Sequence, residues 1–279
     1  MTDLVSGSSG FIGGHIARAL REPLLLDIKE LDDIRYVNSL PRIKTIYHQA
    51  AVPSVPRSLK APVMITSVNV LGTVNMLEVA RRYGVRNFVF ASSSSIYGGM
   101  GDDELEIYEE REANPLSPYA ASKLACEKYL NVYNELYDMN CTVLRYFNVY
   151  GPGQNPNSQY AAVIPKFLKR AREGKPLEIY GDGEQKRSFV YVGDVVEANL
   201  KAAGKRGTFN IGYPKPTTVN ELAEIIINLT DSKSKIAHVK PRKGDIRNSV
   251  PCIEKAKREL GWKPKVSIEE GIGKILENE

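Results

Sequence analysis

Three glycines fix the beginning of this chain. Gly7-Ser8-Ser9-Gly10-Phe11-Ile12-Gly13 lies between an apolar run, Leu4-Val5-Ser6, and a helical pattern from Phe11 to Leu20. Glycines at this spacing allow a tight strand-to-helix turn and let a ligand approach the backbone closely. The helix start then offers free N–H groups and the positive end of its dipole to a pyrophosphate. A second apolar run, Leu24-Leu25-Leu26, ends in Asp27, 20 residues after Gly7. A carboxylate there can accept from both ribose hydroxyls of NAD and would repel the 2′-phosphate of NADP. The first thirty residues thus read as a dinucleotide-binding βαβ unit, with a glycine turn and a capping Asp as the plainer alternative.

The rest of the chain keeps that rhythm. Strands are expected at Ile43 to Tyr47, Phe88 to Phe90 and Cys141 to Tyr146, and helices at Val63 to Tyr83 and Tyr119 to Tyr137, the former stopped by Gly84. Near-continuous apolar strands joined by helices make a parallel sheet covered on both faces, a doubly wound α/β (Rossmann) architecture. After Tyr150 the texture changes to short strands between Gly- and Pro-rich turns, with helices at Val163 to Arg172, Val195 to Ala203, Val219 to Leu229 and Ile253 to Leu260. Residues 1–150 are therefore expected to form the cofactor-binding domain, shortened after its second strand. Residues 151–279 are expected to form mainly a smaller C-terminal substrate-binding lobe that shares elements with the first domain.

Composition narrows the function. With 42% hydrophobic and 25% charged residues, 279 residues can bury a sizeable core. The three cysteines, Cys126, Cys141 and Cys252, form no CxxC pair, and His15, His48 and His238 are scattered, so no metal site is expected. No apolar stretch approaches the ~20 residues of a membrane span and no leader is evident, which points to a cytoplasmic protein without membrane contact. A net charge of +5 with only one short basic run, Lys240-Pro241-Arg242-Lys243, argues against nucleic acid and for a small anionic ligand.

Two further features carry chemistry only in company. Tyr119 and Lys123 stand at i and i+4, on one helix face, where an ammonium is expected to lower a phenol's pKa and make it a base. Phe90-Ala91-Ser92-Ser93-Ser94-Ser95 closes an apolar strand with hydroxyls, at the sheet edge where ligands bind in parallel folds. An exposed helix pair and an ordinary serine loop are the alternatives when each is taken alone.

Taken together, and with His48-Gln49-Ala50-Ala51, Asn69, Arg145-Tyr146-Phe147-Asn148, Gly181-Asp182-Gly183, Arg187 and Glu259-Leu260-Gly261-Trp262, these motifs resemble the extended short-chain dehydrogenase/reductases. Within them the chain is similar to the NAD-dependent sugar-nucleotide epimerases and dehydratases, over nearly its whole length. The resemblance implies a catalytic trio of Ser93, Tyr119 and Lys123. It implies NAD contacts from Gly7, Gly10, Phe11, Ile12, Gly13, Asp27, Asp33, Ala50, Ala51, Asn69 and Tyr146 beside Tyr119 and Lys123. For the substrate it points to Ser93, Ser94, Tyr119, Asn148, Ala162 and Val163, to Ile179 and Tyr180 beside uracil, and to Arg187 and Arg242 on the diphosphate.

Related dehydratases and decarboxylases place extra acids just beyond the catalytic serine, whereas this chain has Ser94 and Ser95. Neither hydroxyl is a general acid or base near neutral pH. That favours epimerisation at C4 of a UDP-hexose through a 4-keto sugar. A nucleotide-sugar reductase or dehydrogenase is the alternative, and a non-catalytic NAD-binding protein a remote one. The segments around Val52 to Ser58 and Tyr160 to Pro165 resemble UDP-N-acetylglucosamine 4-epimerases, and Ser249 falls at the family's gatekeeper position. A small residue there leaves room for an N-acetyl group, so UDP-GlcNAc/GalNAc is expected alongside UDP-Glc/Gal; an ordinary loop serine is the plainer reading. The family pairs its two long helices across a two-fold, which implies a homodimer with Leu124, Tyr129, Leu130 and Tyr133 as candidate contacts.

One interval fits the family badly. Only 20 residues separate Asp27 from His48, and Asp32-Asp33-Ile34-Arg35, which resembles the adenine-contacting segment, follows Asp27 almost at once. The helix that usually leads out of the second strand is missing. A right-handed parallel crossover is not expected there, so either the sheet is trimmed at that edge or residues are absent from the chain.

Overall fold

The structure, a computed structural model, describes residues 1–28, 33–100, 106–156, 162–241 and 247–278. Arg242, Gly244, Asp245, Tyr160 and Asp32 lie outside the described residues.

Strands β1 (Thr2–Ser6), β2 (Leu24–Leu26), β3 (Ile43–His48), β4 (Asn87–Ser93) and β5 (Asn140–Tyr146) form one parallel sheet with a later strand, Gly207–Ile211, in the order β2-β1-β3-β4-β5-(207–211). Strand alternation splits its side chains between two cores. Leu4, Ile46, Phe88, Phe90 and Val143 point to one face, against Met76, Leu77 and Leu130. Val5, Tyr47, Val89, Ala91 and Leu144 point to the other, against Ile16, Val195 and Ala198. That two-sided burial is why the strands read as unbroken apolar runs.

Phe11–Ala19 (α1) and Val192–Ala202 cover the second face; the first carries α3 (Pro62–Thr66), α4 (Gly72–Arg82) and α5 (Pro118–Tyr137), with the short α2 (Val55–Lys60) packed against α3 and α5. Between α3 and α4 the chain makes a π turn, Ser67–Leu71, in which the Gly72 N–H bonds the Ser67 carbonyl. The span expected as one helix from Val63 is therefore two helices around a widened turn. Gly84 follows with φ +70°, in the C′ position that favours glycine. An 18-residue window of this Pro62–Arg82 stretch has mean hydropathy 1.4, apolar enough to count by length and composition as a membrane-span candidate, which corrects the expectation that no such stretch exists. Here it packs on the sheet through Met76, Leu77, Val79 and Ala80.

The crossover expected to be impossible exists. β2 and β3 flank β1, both parallel to it, and residues 27–42 join them. That segment exceeds the ~10–12 residues a parallel crossover requires. Buried Ile34 and Leu40 replace the apolar face of the missing helix. Asn75 of α4 ties the segment down by donating to the carbonyls of Ile34 (2.9 Å) and Val37 (2.8 Å). The sheet is trimmed as well, since β2 is its edge.

A third cluster lies beyond residue 150. It gathers Phe167 and Leu168 from the helix Val163–Arg172, Ile179 from the strand Leu177–Tyr180, Leu222 and Ile226 from Val219–Leu229, and Ile272 from Ile268–Glu277. The helix expected at Ile253 begins one residue later, and Ala256–Leu260 is a π turn.

Candidate active site

The glycine turn is built for close approach. Gly7 has φ +73°, and a Cβ on it would lie 2.7 Å from the Ala50 nitrogen; one on Gly13 would lie 2.1 Å from the Gly7 carbonyl oxygen. Any side chain at either position would force the loop and the β3 exit apart. No side chain caps α1, whose N-cap is Gly10, so the N–H groups of Phe11, Ile12 and Gly13 have no acceptor within the helix. Asp27, buried at the end of β2, accepts the Ser9 N–H at 2.9 Å through Oδ2. A backbone cradle, an uncapped helix start and a carboxylate beside it fit the pyrophosphate and ribose of a dinucleotide. Asp33 is engaged elsewhere: its Oδ1 accepts the backbone N–H and the Nε–H of Arg35, each at 3.0 Å.

Ser93, Tyr119 and Lys123 lie further along the same sheet, at the end of β4 and the start of α5 (Pro118–Tyr137). Ser93 closes β4 with its Cα in register with Tyr146 of β5, and its hydroxyl accepts the Ser95 N–H at 3.2 Å. The Ser93 side chain is also close enough to the Tyr119 phenol to favour its ionised form. Ser117 caps α5 by accepting the Ala120 N–H (3.2 Å), and Pro118 occupies the first turn, which fixes Tyr119 and, one turn on, Lys123.

Electrostatics here depart from the sequence expectation. Burial pushes the Tyr119 phenol up to about 12, with the neighbouring Ser93 side chain as the opposing influence, and Lys123 does not lower it. The lysine Nζ is turned to the strand instead: it donates to the Ala91 carbonyl at 2.7 Å and sits 4.7 Å from the centre of the Phe90 ring. Burial pulls Lys123 down to about 8. Tyr146 is also buried, and its hydroxyl donates to Asn199 Oδ1 at 2.9 Å.

The substrate candidates fall into two groups. Asn148 donates through Nδ2 to the Ser188 carbonyl (2.8 Å), the Ser188 N–H bonds the Ser249 carbonyl (3.1 Å), and Ser249 is in register with Arg187. Three positions distant in sequence thus come together, with Arg187 Nη1 donating to the carbonyls of Lys186 and Arg247. Ala162 and Val163 sit at the start of their helix, and Ser94 begins the short 3₁₀ turn Ser94–Tyr97. Ile179 does not fit the role expected for it: it is fully buried in the third core and has no surface to offer a ring, while Tyr180 is half-buried. Of the candidate dimer contacts only Tyr129 is exposed. Leu130 and Tyr133 are buried and Leu124 packs on a core cluster; the outward apolar residues include Val63, Leu71, Val132 and Leu136.

Two buried groups escaped the sequence reading. Glu127, one turn beyond Lys123, accepts from Ser92 and from Arg145 (Nη2, 2.7 Å), and Arg145 also donates to Tyr97 and to the Glu109 carbonyl. His48, known only as a motif letter, contacts Ser6 and Thr73. Partners tens of residues apart leave no local spacing to find them by.

The profile of the NAD dependent epimerase/dehydratase family matches residues 4–212, and the chain belongs to that family. Its cofactor is NAD. The chain is 36% identical to the UDP-glucose 4-epimerase of Mycolicibacterium smegmatis, over 99% of this chain and 98% of that protein. It superposes on the UDP-N-acetylglucosamine 4-epimerase of Methanobrevibacter ruminantium, solved with UDP-N-acetylmuramic acid, with TM-score 0.93 and 32% identity, covering 100% and 98% of the two chains. The UDP-glucose 4-epimerase of Thermus thermophilus in complex with NAD gives 0.87 and 35%, with the same coverage.

Proposed function

We propose that this protein interconverts UDP-hexoses by inverting C4 through a 4-keto sugar. The observation that carries the reading is the juxtaposition of Ser93, at the end of β4, with the buried Tyr119 phenol, with two serines after Ser93 where related dehydratases place a carboxylate. Tyr119 exchanges the proton of the C4 hydroxyl, and Ser93 holds the C4 oxygen as its charge changes. NAD, when bound, supplies the hydride carrier at C4 and a positive charge beside the phenol. Gly7, Gly10, Phe11, Ile12 and Gly13 would hold its pyrophosphate and Asp27 its ribose, with Ala50, Ala51, Asn69 and Tyr146 beside the path to the catalytic trio. Lys123, kept short of full basicity by burial, is the cation closest along the helix to Tyr119.

Arg187 and Asn148 suit the diphosphate, a guanidinium and an amide presenting donors to phosphate oxygens. Tethered there, the keto sugar can turn over and take back hydrogen on its opposite face. Ser249, in register with Arg187, leaves space for an N-acetyl group, which extends the substrates to UDP-GlcNAc and UDP-GalNAc. The exposed Val63, Leu71, Val132 and Leu136 on the two long helical stretches favour a homodimer.

Incubation of the purified protein with UDP-sugar and no added NAD tests the reading. Many turnovers per protein support a self-regenerating epimerase. NADH formed in stoichiometric amount, without epimer, identifies a dehydrogenase. Failure on the N-acetyl pair alone removes the Ser249 argument.

A further inference from the structure

A line of buried side chains runs from beneath the glycine loop to the catalytic helix. Ser6, the last residue of β1 and the neighbour of Gly7, lies 2.7 Å from His48 Nδ1 through its hydroxyl. On the far side of the ring, Nε2 is 3.0 Å from the Thr73 hydroxyl. Thr73 donates to the Asn69 carbonyl at 2.6 Å, in the π turn. The Asn69 amide binds on both sides: Oδ1 accepts the Val52 N–H (2.8 Å) and Nδ2 donates to the Ser122 hydroxyl (3.0 Å). Ser122 in turn donates to the carbonyl of Tyr119 at 2.7 Å. Ser6, His48, Thr73, Asn69 and Ser122 are each at most 4% exposed.

The direction of this line is fixed by donor counting. Thr73 spends its one proton on the Asn69 carbonyl, so its oxygen must accept from His48, which places the ring proton on Nε2. Nδ1 is then an acceptor and takes the Ser6 proton. Burial, with the Lys123 charge adding to it, drives the imidazole down to about 3, so the ring stays neutral and keeps this single tautomer at working pH. Phe88 and Phe90 pack beside the ring, at ring-centre distances of 5.4 Å and 6.0 Å. A side chain that donates on one edge and accepts on the other, packed beside two rings of β4, is a rigid spacer between the strand end at Ser6 and the turn at Asn69.

We propose that His48 is a positioning residue that sets the cofactor loop in register with Tyr119. The proposal rests on Tyr119 being the proton-transferring group. The Ser6 side of the ring governs how well the glycine loop fits the dinucleotide; the Thr73 side governs where α5 holds the phenol.

Two variants separate the edges. In His48→Asn a carbonyl stands near Nδ1 and the reach to Thr73 is lost; in His48→Gln an amide reaches Thr73 and the acceptor for Ser6 is lost. His48→Asn is expected to lose about tenfold in kcat with a smaller change in NAD affinity and in the KM for UDP-sugar. His48→Gln is expected to lose about tenfold in NAD affinity with a smaller change in kcat. The ring's 15N shifts in the unsubstituted protein report the Nε2–H tautomer independently of activity. Loss of both properties in step with thermal stability in both variants, no loss in either, or an Nδ1–H ring would overturn the proposal. If the unsubstituted protein turns over no UDP-sugar, the reading of Tyr119 fails by itself. The opposed NAD affinities of the two variants then still decide whether His48 sets the cofactor loop.

Discussion

Lys123 Nζ donates to the carbonyl of Ala91, 2.7 Å away across the helix–sheet interface, and not toward Tyr119, four residues earlier on its own helix. The ammonium therefore anchors α5 to β4, two residues before Ser93. It is also a buried charge, which gives a pH signature. Lys123 is pulled down to about 8 in the folded protein, from the ~10.4 of a free lysine. Between those values the unfolded chain binds more protons than the folded one, so stability rises with pH across that window. Urea unfolding from pH 8 to 10 should show this rise in the unsubstituted protein and less of it in Lys123→Met. Equal pH dependence in the two would mean that the ammonium is not buried in solution.

Tyr119→Phe keeps the buried ring and removes only the phenol hydroxyl. kcat for C4 epimerisation should fall about a thousandfold, with NAD binding and the KM for UDP-sugar little altered, because general acid–base groups contribute at this scale. Steady-state kinetics beside an NAD titration measure both. A variant with a substantial fraction of the original rate would remove Tyr119 from the chemistry.

The Glu127–Arg145 pair makes a stability prediction. Arg145→Met strands a buried carboxylate that keeps only Ser92 as a partner, and should cost about 3–5 kcal/mol. The double variant Arg145→Met/Glu127→Leu should recover part of that loss, since it removes both charges. Chemical denaturation of the three proteins gives the comparison, and a double variant less stable than the single one contradicts it.

Ser249→Tyr would place a phenol beside Arg187, on the strand paired with it. Its kcat/KM for UDP-GalNAc should fall at least about tenfold more than that for UDP-Gal. Parallel loss on both sugars would show that position 249 does not face the 2-substituent.

Gly13→Ala would put a methyl 2.1 Å from the Gly7 carbonyl oxygen. NAD affinity should drop by about two orders of magnitude or more, because the turn must open before the chain can fold around it. Fluorescence titration with NADH measures it; unchanged affinity would place the dinucleotide elsewhere.

The chain announced its α/β class through short-range patterns. Leu4-Val5 and Phe88-Val89-Phe90 read as strands buried on both faces because alternate residues of a strand enter opposite cores, and both cores here are apolar. The glycine turn, Asp27 and the Ser93, Tyr119, Lys123 set could be proposed from the chain for a related reason: residue types at spacings set by one strand or one helix turn are visible in the letters. The role of Ile179 was misread because a β-strand offers two faces, and the letters alone did not say which one looks into the third core. The crossover of residues 27–42 was misjudged because the sequence showed a missing helix but not that Ile34 and Leu40 could stand in for it, with Asn75 of α4 pinning the backbone.

By itself the sequence determined the period of each element, the backbone freedom of the glycine turn and which titratable residues share a helix face. These follow from local sterics and from the 2.0 and 3.6 residue repeats. Only the tertiary structure decided where each polar group finds its partner once water is excluded. It turned Lys123 onto Ala91, raised the Tyr119 phenol by burial, and paired Glu127 with Arg145. It also joined Ser6, His48, Thr73, Asn69 and Ser122 into one line. Buried donors and acceptors must be satisfied by whatever the packed chain brings near, and that is a property of three-dimensional distance that no spacing in the chain encodes.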